Sequence, residues 1–489
     1  MTARAGGQRR SARLALWLAS GLLAVSFAGY AAEVLLHPIG QMLTGFDFHI
    51  FLLAGRHALR HPALVYGWKF TRAVRFVYPP FAALVFAAVQ ALPTRVARDS
   101  MTLVSFAATP LTVWLTLGQM GLRGRTKLIT AMATSAVAIW MWPVIWSLHL
   151  GQIEPLLMLL VVWDLSRPDR RPLKGAGIGL AAGIKLVPLI FIPYLLLARK
   201  FRQAAVAAGV FAATIAVGFI ALPGPSTRWW LTGYMFNTSK NGSVASLVDQ
   251  SLLGLLTRAD GGHLAAAKPL WLVLAAVIGA AGVLTAAALA RSGRPAHGMV
   301  ACAFTGLLVS PISWDNHWVW VVPLLALLVG SAARAVGRVR AASLTAAAIV
   351  VVVFGAWPDH LHGPAALLPQ RAFLGWFTTK GPAMELVALH LRGAEVLTWN
   401  LYVLAGAVIL AALVGYAVVA RSAGRAREQP AREQPAREQP AAADPEPCPP
   451  LRPGLPAPNP PVTRRPAGRR TESGTAPRTT RRPAADPRA

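Results

Sequence analysis

The chain has 489 residues, 55% hydrophobic and only 14% charged, with a mean hydropathy of +0.49. A soluble protein of this length carries roughly 25% charged residues, so a soluble globular fold is excluded. The formal charge of +29 would point to nucleic acid in a soluble protein, but here the basic residues stand in short runs between apolar blocks, as in 167–174 (RPDRRPLK), 199–202 (RKFR) and 334–340 (RAVGRVR). That is the positive-inside pattern of cytoplasmic loops, and no nucleic-acid partner is expected.

The apolar blocks are long enough to cross a hydrocarbon core of about 30 Å as helix. They lack strand-like alternation, and lipid-exposed backbone must bond within its own segment, so they are read as helices. Clear examples are 14–32, 101–117, 128–148, 203–222, 270–290, 342–356 and 401–420. Counting shorter and broken segments, about 11 to 13 spans are expected: an all-α polytopic membrane protein lying in the lipid bilayer.

Arg4, Arg9, Arg10 and Arg13 precede the first block, and 28–32 resembles a small-residue cleavage context. The block is long for a signal peptide and the rest of the chain is polytopic, so an uncleaved first helix with a cytoplasmic N-terminus is expected. Residues 33–78 then lie outside, with Asp47, His49, Arg56, His57, Arg60, His61, Arg72 and Arg75. Cations outside run against the usual bias and point to an anion. Asp47 sits in GFDFHIF, an apolar and aromatic setting that lifts a carboxyl toward a value useful for a base; an N-cap for the following amphipathic stretch is the other reading. Tyr78-Pro79-Pro80-Phe81 starts a helix, since proline is acceptable in the first turn. Arg72 and Arg75 just before it are suited to phosphate oxygens.

His149-Leu150-Gly151-Gln152-Ile153-Glu154-Pro155 places polar groups between two apolar runs, as a turn or as a site. Strict alternation from the first helix does not put both basic loops, 121–127 and 167–174, on the cytoplasmic side, so one segment between 78 and 200 turns back. The best candidate is 173–198: basic at both ends, with Gly175, Gly177, Gly179 and Gly183 early and Lys185 and Pro188 at its middle. A broken helix is tolerated at membrane depth where it lines a protein cavity, and a cavity-facing Lys185 has phosphate as its obvious partner.

The loop 223–263 holds Trp229, Trp230, Tyr234, Asn237, Asn241, Asp249 and Gln250. Further on, Ser310-Pro311-Ile312-Ser313-Trp314-Asp315-Asn316-His317-Trp318 interrupts two apolar runs with groups that suit a sugar; an interfacial hairpin is the alternative. The loop 357–399 carries Asp359, His360, His362 and Arg371. From Arg421 the composition changes to tandem AREQP, proline, alanine and arginine, which cannot bury a core. The two cysteines, Cys302 and Cys448, argue against a disulfide or a thiolate metal site. Absence of HExxH, DxD and CxxC argues against a metal. Neither a P-loop nor a dinucleotide fingerprint occurs, so activated substrate arrives in another form.

Taken in order, these pieces resemble the polyprenol-phosphate-mannose-dependent mannosyltransferases of the actinobacterial cell envelope, glycosyltransferase family 87 of the GT-C superfamily. The resemblance runs over most of 12–420. It is carried by the Asp47 loop with Tyr66 and Tyr78-Pro79-Pro80-Phe81, then Gly151-Gln152 and the apolar 156–164. Gly179-Leu180-Ala181-Ala182-Gly183-Ile184-Lys185 with Pro188 follows, then Asp249-Gln250-Ser251-Leu252 before Gly254, and Ser310-Pro311-Ile312-Ser313-Trp314 with His317. Ile153-Glu154 stands where valine-asparagine is expected, and Asp249 where asparagine is common, which bears on the acceptor.

The resemblance implies a GT-C-like transmembrane domain over 1–420; the tail over 421–489 lies outside it and is expected from its composition to be disordered and cytoplasmic. It implies a plasma-membrane enzyme with an extracytoplasmic site, a polyprenyl-phosphate-mannose donor and a phosphatidylinositol mannoside or lipomannan-type glycolipid acceptor. No metal and no cofactor beyond the lipid-linked sugar are expected. Asp47 is implied as catalytic base, forming an α-mannoside with inversion and a 1→2 linkage. Lys185, Arg72 and Arg75 are candidates for the donor phosphate, and His317, Trp314, Gln250, Gln152 and Glu154 for the sugar or acceptor. The same fold using arabinose or glucose, or a transporter, are the rivals; no repeat relates two halves of the chain as many transporters require.

Overall fold

The computed structural model describes residues 2–36, 45–69, 74–238, 242–357, 371–372 and 394–432. Arg72, Asn241, Asp359, His360 and His362, and the tail from 433, lie outside the described residues. Helix α1 (Thr2–Leu36) is followed by α2 (Phe46–Arg60) and α3 (Pro80–Val89), the latter starting at the two prolines. Then come α4 (Thr94–Gln119), α5 (Gly124–Ala138), α6 (Trp142–Leu150) and α7 (Glu154–Ser166). After α8 (Ala176–Ile184), α9 (Phe191–Leu197) and α10 (Phe201–Ala221), the short α11 (Pro223–Leu231) and α12 (Leu252–Ala259) lead to α13 (Leu264–Arg291). The chain continues as α14 (Pro295–Val309), a 3-10 turn Asp315–Trp320, α15 (Val321–Arg334), α16 (Gly337–Phe354), α17 (Ala394–Thr398) and α18 (Leu401–Arg432). One two-residue antiparallel pair, Ala356–Trp357 with Arg371–Ala372, accompanies them.

Among the described residues seven helices are long and apolar enough to cross a membrane, eight if the bent pair α6–α7 is one span. Pro80–Val89 (α3), Val187–Leu197 and Pro295–Val309 (α14) are shorter and apolar. Helix α18 runs past residue 420 to Arg432.

The helix ends gather at two levels. At one, Gln119 donates to Ser166 Oγ at 2.8 Å, Arg334 to the Met120 carbonyl, and Arg291 to the Leu197 carbonyl at 3.0 Å. Lys174 and Lys200 both pair with Asp169, and Arg202 donates to the carbonyls of Arg171 and Pro172 at 2.8 Å. The basic loops 121–127, 167–174, 199–202 and 334–340 thus share one end. At the other end lie the 45–80 region, the α6–α7 corner, and the segments around 249 and 314, which meet as an antiparallel bridge.

Residues 173–198 turn back. Their two flanks meet on Asp169, whereas Lys185 between them pairs with Glu154, at the opposite end of α7 from Ser166. The break falls at Lys185 itself, whose extended backbone (φ −144°, ψ 131°) stops α8 before a 3-10 turn at Val187–Ile190. The glycines do different work from that expected: they permit close packing. Gly175, Gly179 and Gly183, spaced by four, face α10, where an added Cβ would overlap the carbonyls of Gln203 and Ala207 and the Thr214 side chain. Small residues at this spacing let helix backbones approach in lipid. The buried Asp164 carboxylate accepts from the amides of Gly175 (2.9 Å) and Ile178 (3.2 Å), which satisfies the orphan donors at the start of α8.

Candidate active site

The α6–α7 corner builds the site. Helix α6 ends at Gly151, with φ +68°, and the chain turns by 118° into α7. An added Cβ at Gly151 would lie 2.7 Å from Phe48 Cβ, so glycine is needed both for the backbone and for the approach of α2. The corner is tied to α2 by Gly45 N–H donating to the His149 carbonyl at 3.0 Å. That seats Gln152 beside Asp47, in the first turn of α2: the Gln152 amide donates to the Asp47 carboxylate and its carbonyl accepts from the Tyr78 hydroxyl at 3.2 Å. Tyr78 is in turn fixed by Tyr66, which donates to its backbone carbonyl at 2.8 Å.

Burial pushes the Asp47 carboxyl up to about 7; the Gln152 hydrogen bond works against this and the nearby Glu154 charge adds to it. A carboxyl poised near neutrality takes a proton efficiently at working pH. Lys185 Nζ lies 5.2 Å from the Tyr78 ring centroid and 2.9 Å from His317 Nε2, and forms an ion pair with Glu154. Because Lys185 only donates, His317 Nε2 accepts and its proton sits on Nδ1.

A cavity of about 500 Å³ opens over these groups, a size that suits small-molecule sites. Asp47, Arg75, Gln152, Lys185, Trp314 and His317 all line it. Glu154 sits behind Lys185, 6% exposed, with His317 Nε2 3.3 Å from its Oε1. Gln250 is a correction. Its side chain is fully buried, donating to the carbonyls of Leu247 (2.7 Å) and Trp399 (2.9 Å) and accepting from Tyr402 N–H. It holds loops together and does not line the cavity. Asp249 is likewise internal: its Oδ1 accepts from the amides of Ser251 and Ser313. Arg258, 1% exposed, closes this cluster on the carbonyls of Ser246 and Asp249 and on Asn400 Oδ1.

The profile of glycosyltransferase family 87 matches residues 76–311. The polyprenol-phosphate-mannose-dependent alpha-(1-2)-phosphatidylinositol pentamannoside mannosyltransferase of Mycobacterium tuberculosis (strain CDC 1551 / Oshkosh) is 35% identical over 318 residues, 64% of this chain and 72% of the relative. The chain belongs to glycosyltransferase family 87. A protein of the same description from Mycolicibacterium smegmatis is 32% identical to this glycosyltransferase over 364 residues, 73% of the chain and 79% of the relative. The phosphatidylinositol mannoside mannosyltransferase of M. tuberculosis (strain ATCC 25618 / H37Rv) is 31% identical over 379 residues, 74% and 85% respectively. No solved structure matches it.

Three further residues line the cavity of this glycosyltransferase: Trp146, to which sequence reasoning assigns no role, and Asp315 and Asn316, which stand in the 310–318 segment suited to a sugar but are not singled out within it. Trp142, Trp146 and His149 fall at helical one-face spacing, and their rings stack in succession at 5.2 and 4.6 Å. That periodicity was the available signal. For Asp315 the partner, Trp142 Nε1 at 2.8 Å, lies too far away in sequence to be read.

Proposed function

We propose that this glycosyltransferase moves mannose from polyprenyl-phosphate-mannose to a phosphatidylinositol-mannoside-type glycolipid, forming an α-(1→2) bond with inversion. The donor and acceptor are those in the names of the relatives. The observation that carries the chemistry is a half-buried carboxyl, Asp47, sharing one cavity with the cations Lys185 and Arg75.

In this reading the acceptor hydroxyl oxygen attacks the anomeric carbon and its proton passes to Asp47. The bond from that carbon to the phosphate oxygen breaks, and polyprenyl phosphate leaves with the electron pair. Lys185 and Arg75 meet the charge growing on the phosphate, where preorganised cations act most strongly. Gln152 orients Asp47. The donor's own phosphodiester supplies the leaving group, so neither metal nor further cofactor is invoked. The enzyme lies in the plasma membrane with its cavity on the extracytoplasmic side, supported by the basic loops at the opposite end.

The test is transfer of radiolabelled mannose from polyprenyl-phosphate-mannose to glycolipid in membranes carrying wild type or Asp47→Asn. Label entering lipid with wild type alone is expected. Equal labelling with the variant would remove Asp47 from the mechanism, and no labelling with either would send the reading to another lipid-linked sugar.

A further inference from the structure

The cavity holds a second carboxylate that the proposed chemistry leaves unused. Asp315 is 5% exposed and makes no ion pair among the described residues. Its Oδ2 accepts from Trp142 Nε1 at 2.8 Å and its Oδ1 from the Asn316 backbone amide at 2.9 Å. Two donors fix its plane, yet a carboxylate has about four acceptor positions, so capacity remains on both oxygens. Next to it Asn316, 2% exposed, leaves Nδ2 without a partner among the described residues. A buried amide donor without a partner is costly, and so is a buried charge that lacks a cation. Both lie in the wall of one cavity.

The neighbouring wall is rigid and apolar. Trp146 stacks between Trp142 and His149 with interplanar angles of 14° and 8°, so its ring cannot swing into the cavity. An acceptor carboxylate, an amide and an indole edge together match a pyranose. Its vicinal hydroxyls donate to the two oxygens of a carboxylate, a further hydroxyl accepts from an amide, and its C–H groups rest on aromatic carbon. A phosphate is the wrong ligand for this corner, since Asp315 would repel it.

We propose that Asp315 and Asn316, backed by Trp146, form a subsite that reads pyranose hydroxyls. The inference rests on the proposed sugar transfer and adds the residues that hold a sugar ring. Two rings are possible occupants, the transferred sugar or the acceptor's terminal sugar, and the chemistry is common to both. Sites built to hydrogen-bond hydroxyls lose strongly when a partner is removed.

The test uses the full-length enzyme in detergent, with polyprenyl-phosphate-mannose and a purified phosphatidylinositol mannoside, comparing wild type, Asn316→Leu and Asp315→Asn. Because Asn316 Nδ2 bonds nothing among the described residues, Asn316→Leu is expected to keep or raise the unfolding temperature. It is also expected to raise one KM by roughly tenfold while kcat changes less. A raised acceptor KM places the acceptor ring here; a raised donor KM places the transferred ring here. Asp315→Asn, which keeps one acceptor for Trp142, is expected to move the same KM. Both KM values unchanged in Asn316→Leu would overturn the subsite. So would loss of kcat alone in Asp315→Asn, which would make Asp315 a proton carrier. Wild type inactive on this pair would instead sink the proposed function, and the subsite with it.

Discussion

Gln152 reaches across 105 positions of sequence to donate its side-chain amide to the Asp47 carboxylate. The contact sets a pH dependence. Burial lifts Asp47 to about 7, and a base acts in its ionised form, so the transfer rate should rise with pH through about 7 and level off above. The Gln152 hydrogen bond favours the carboxylate. Gln152→Ala should therefore move the midpoint to higher pH, with a loss that is large at pH 6 and small at about pH 9. Initial rates across that range decide it, and an unmoved midpoint would mean that Gln152 does not tune the base.

Lys185 and Glu154 are 14% and 6% exposed, so removing one strands the other. Lys185→Ala should cost roughly 3 kcal/mol, the low end for breaking a buried pair, besides raising the donor requirement. The double variant Lys185→Met, Glu154→Gln should recover most of the unfolding temperature yet stay poor in donor use. Thermal unfolding and donor KM separate the two effects.

Gly151→Ala places a Cβ at φ +68° and 2.7 Å from Phe48 Cβ. The backbone alone costs about 1–2 kcal/mol, and relief of the overlap moves α2 away from Gln152. Transfer should fall at least tenfold with only a modest drop in unfolding temperature. Gly209→Ala is the control: nothing lies within 4 Å of its added Cβ, and a helix-interior alanine should stabilise by about 0.5–1 kcal/mol.

Arg258→Met removes the donor to Asn400 Oδ1 and to the Asp249 carbonyl, and one of the donors to the Ser246 carbonyl, which keeps the Asp249 amide. Several buried acceptors lost together should cost roughly 3 kcal/mol. The bridge of Asp249 with Trp314 should loosen, seen as faster proteolysis within 223–263 and a fall in transfer.

The apolar blocks, the base candidate and the turn-back at 173–198 were legible because each rests on local composition: length for a span, an acid among aromatics, a lysine beside proline. What stayed hidden depends on contacts distant in sequence. Gln250 reads as a sugar ligand from its type, but Trp399 and Tyr402, about 150 positions on, occupy its amide. Lys185 reads as a bare cation until Glu154 is folded against it. The glycines of α8 suggested a break, whereas the close surface of α10 is what requires them. Asp315 and Asn316 stood in a segment already marked for sugar, but only folding shows which of its side chains reach the cavity.

The turn-back has an electrical consequence. Helix α8 has nine residues, about 14 Å of rise, against a hydrocarbon thickness of about 30 Å. In the proposed orientation, with the cavity open to water, the layer below Lys185 would carry much of the insulation that elsewhere takes the full bilayer. A membrane voltage would then fall mainly across that layer, sparing the reacting groups above it. The tight seam between α8 and α10 is then a seal against ions, and an enzyme with a widened seam would discharge the membrane it decorates.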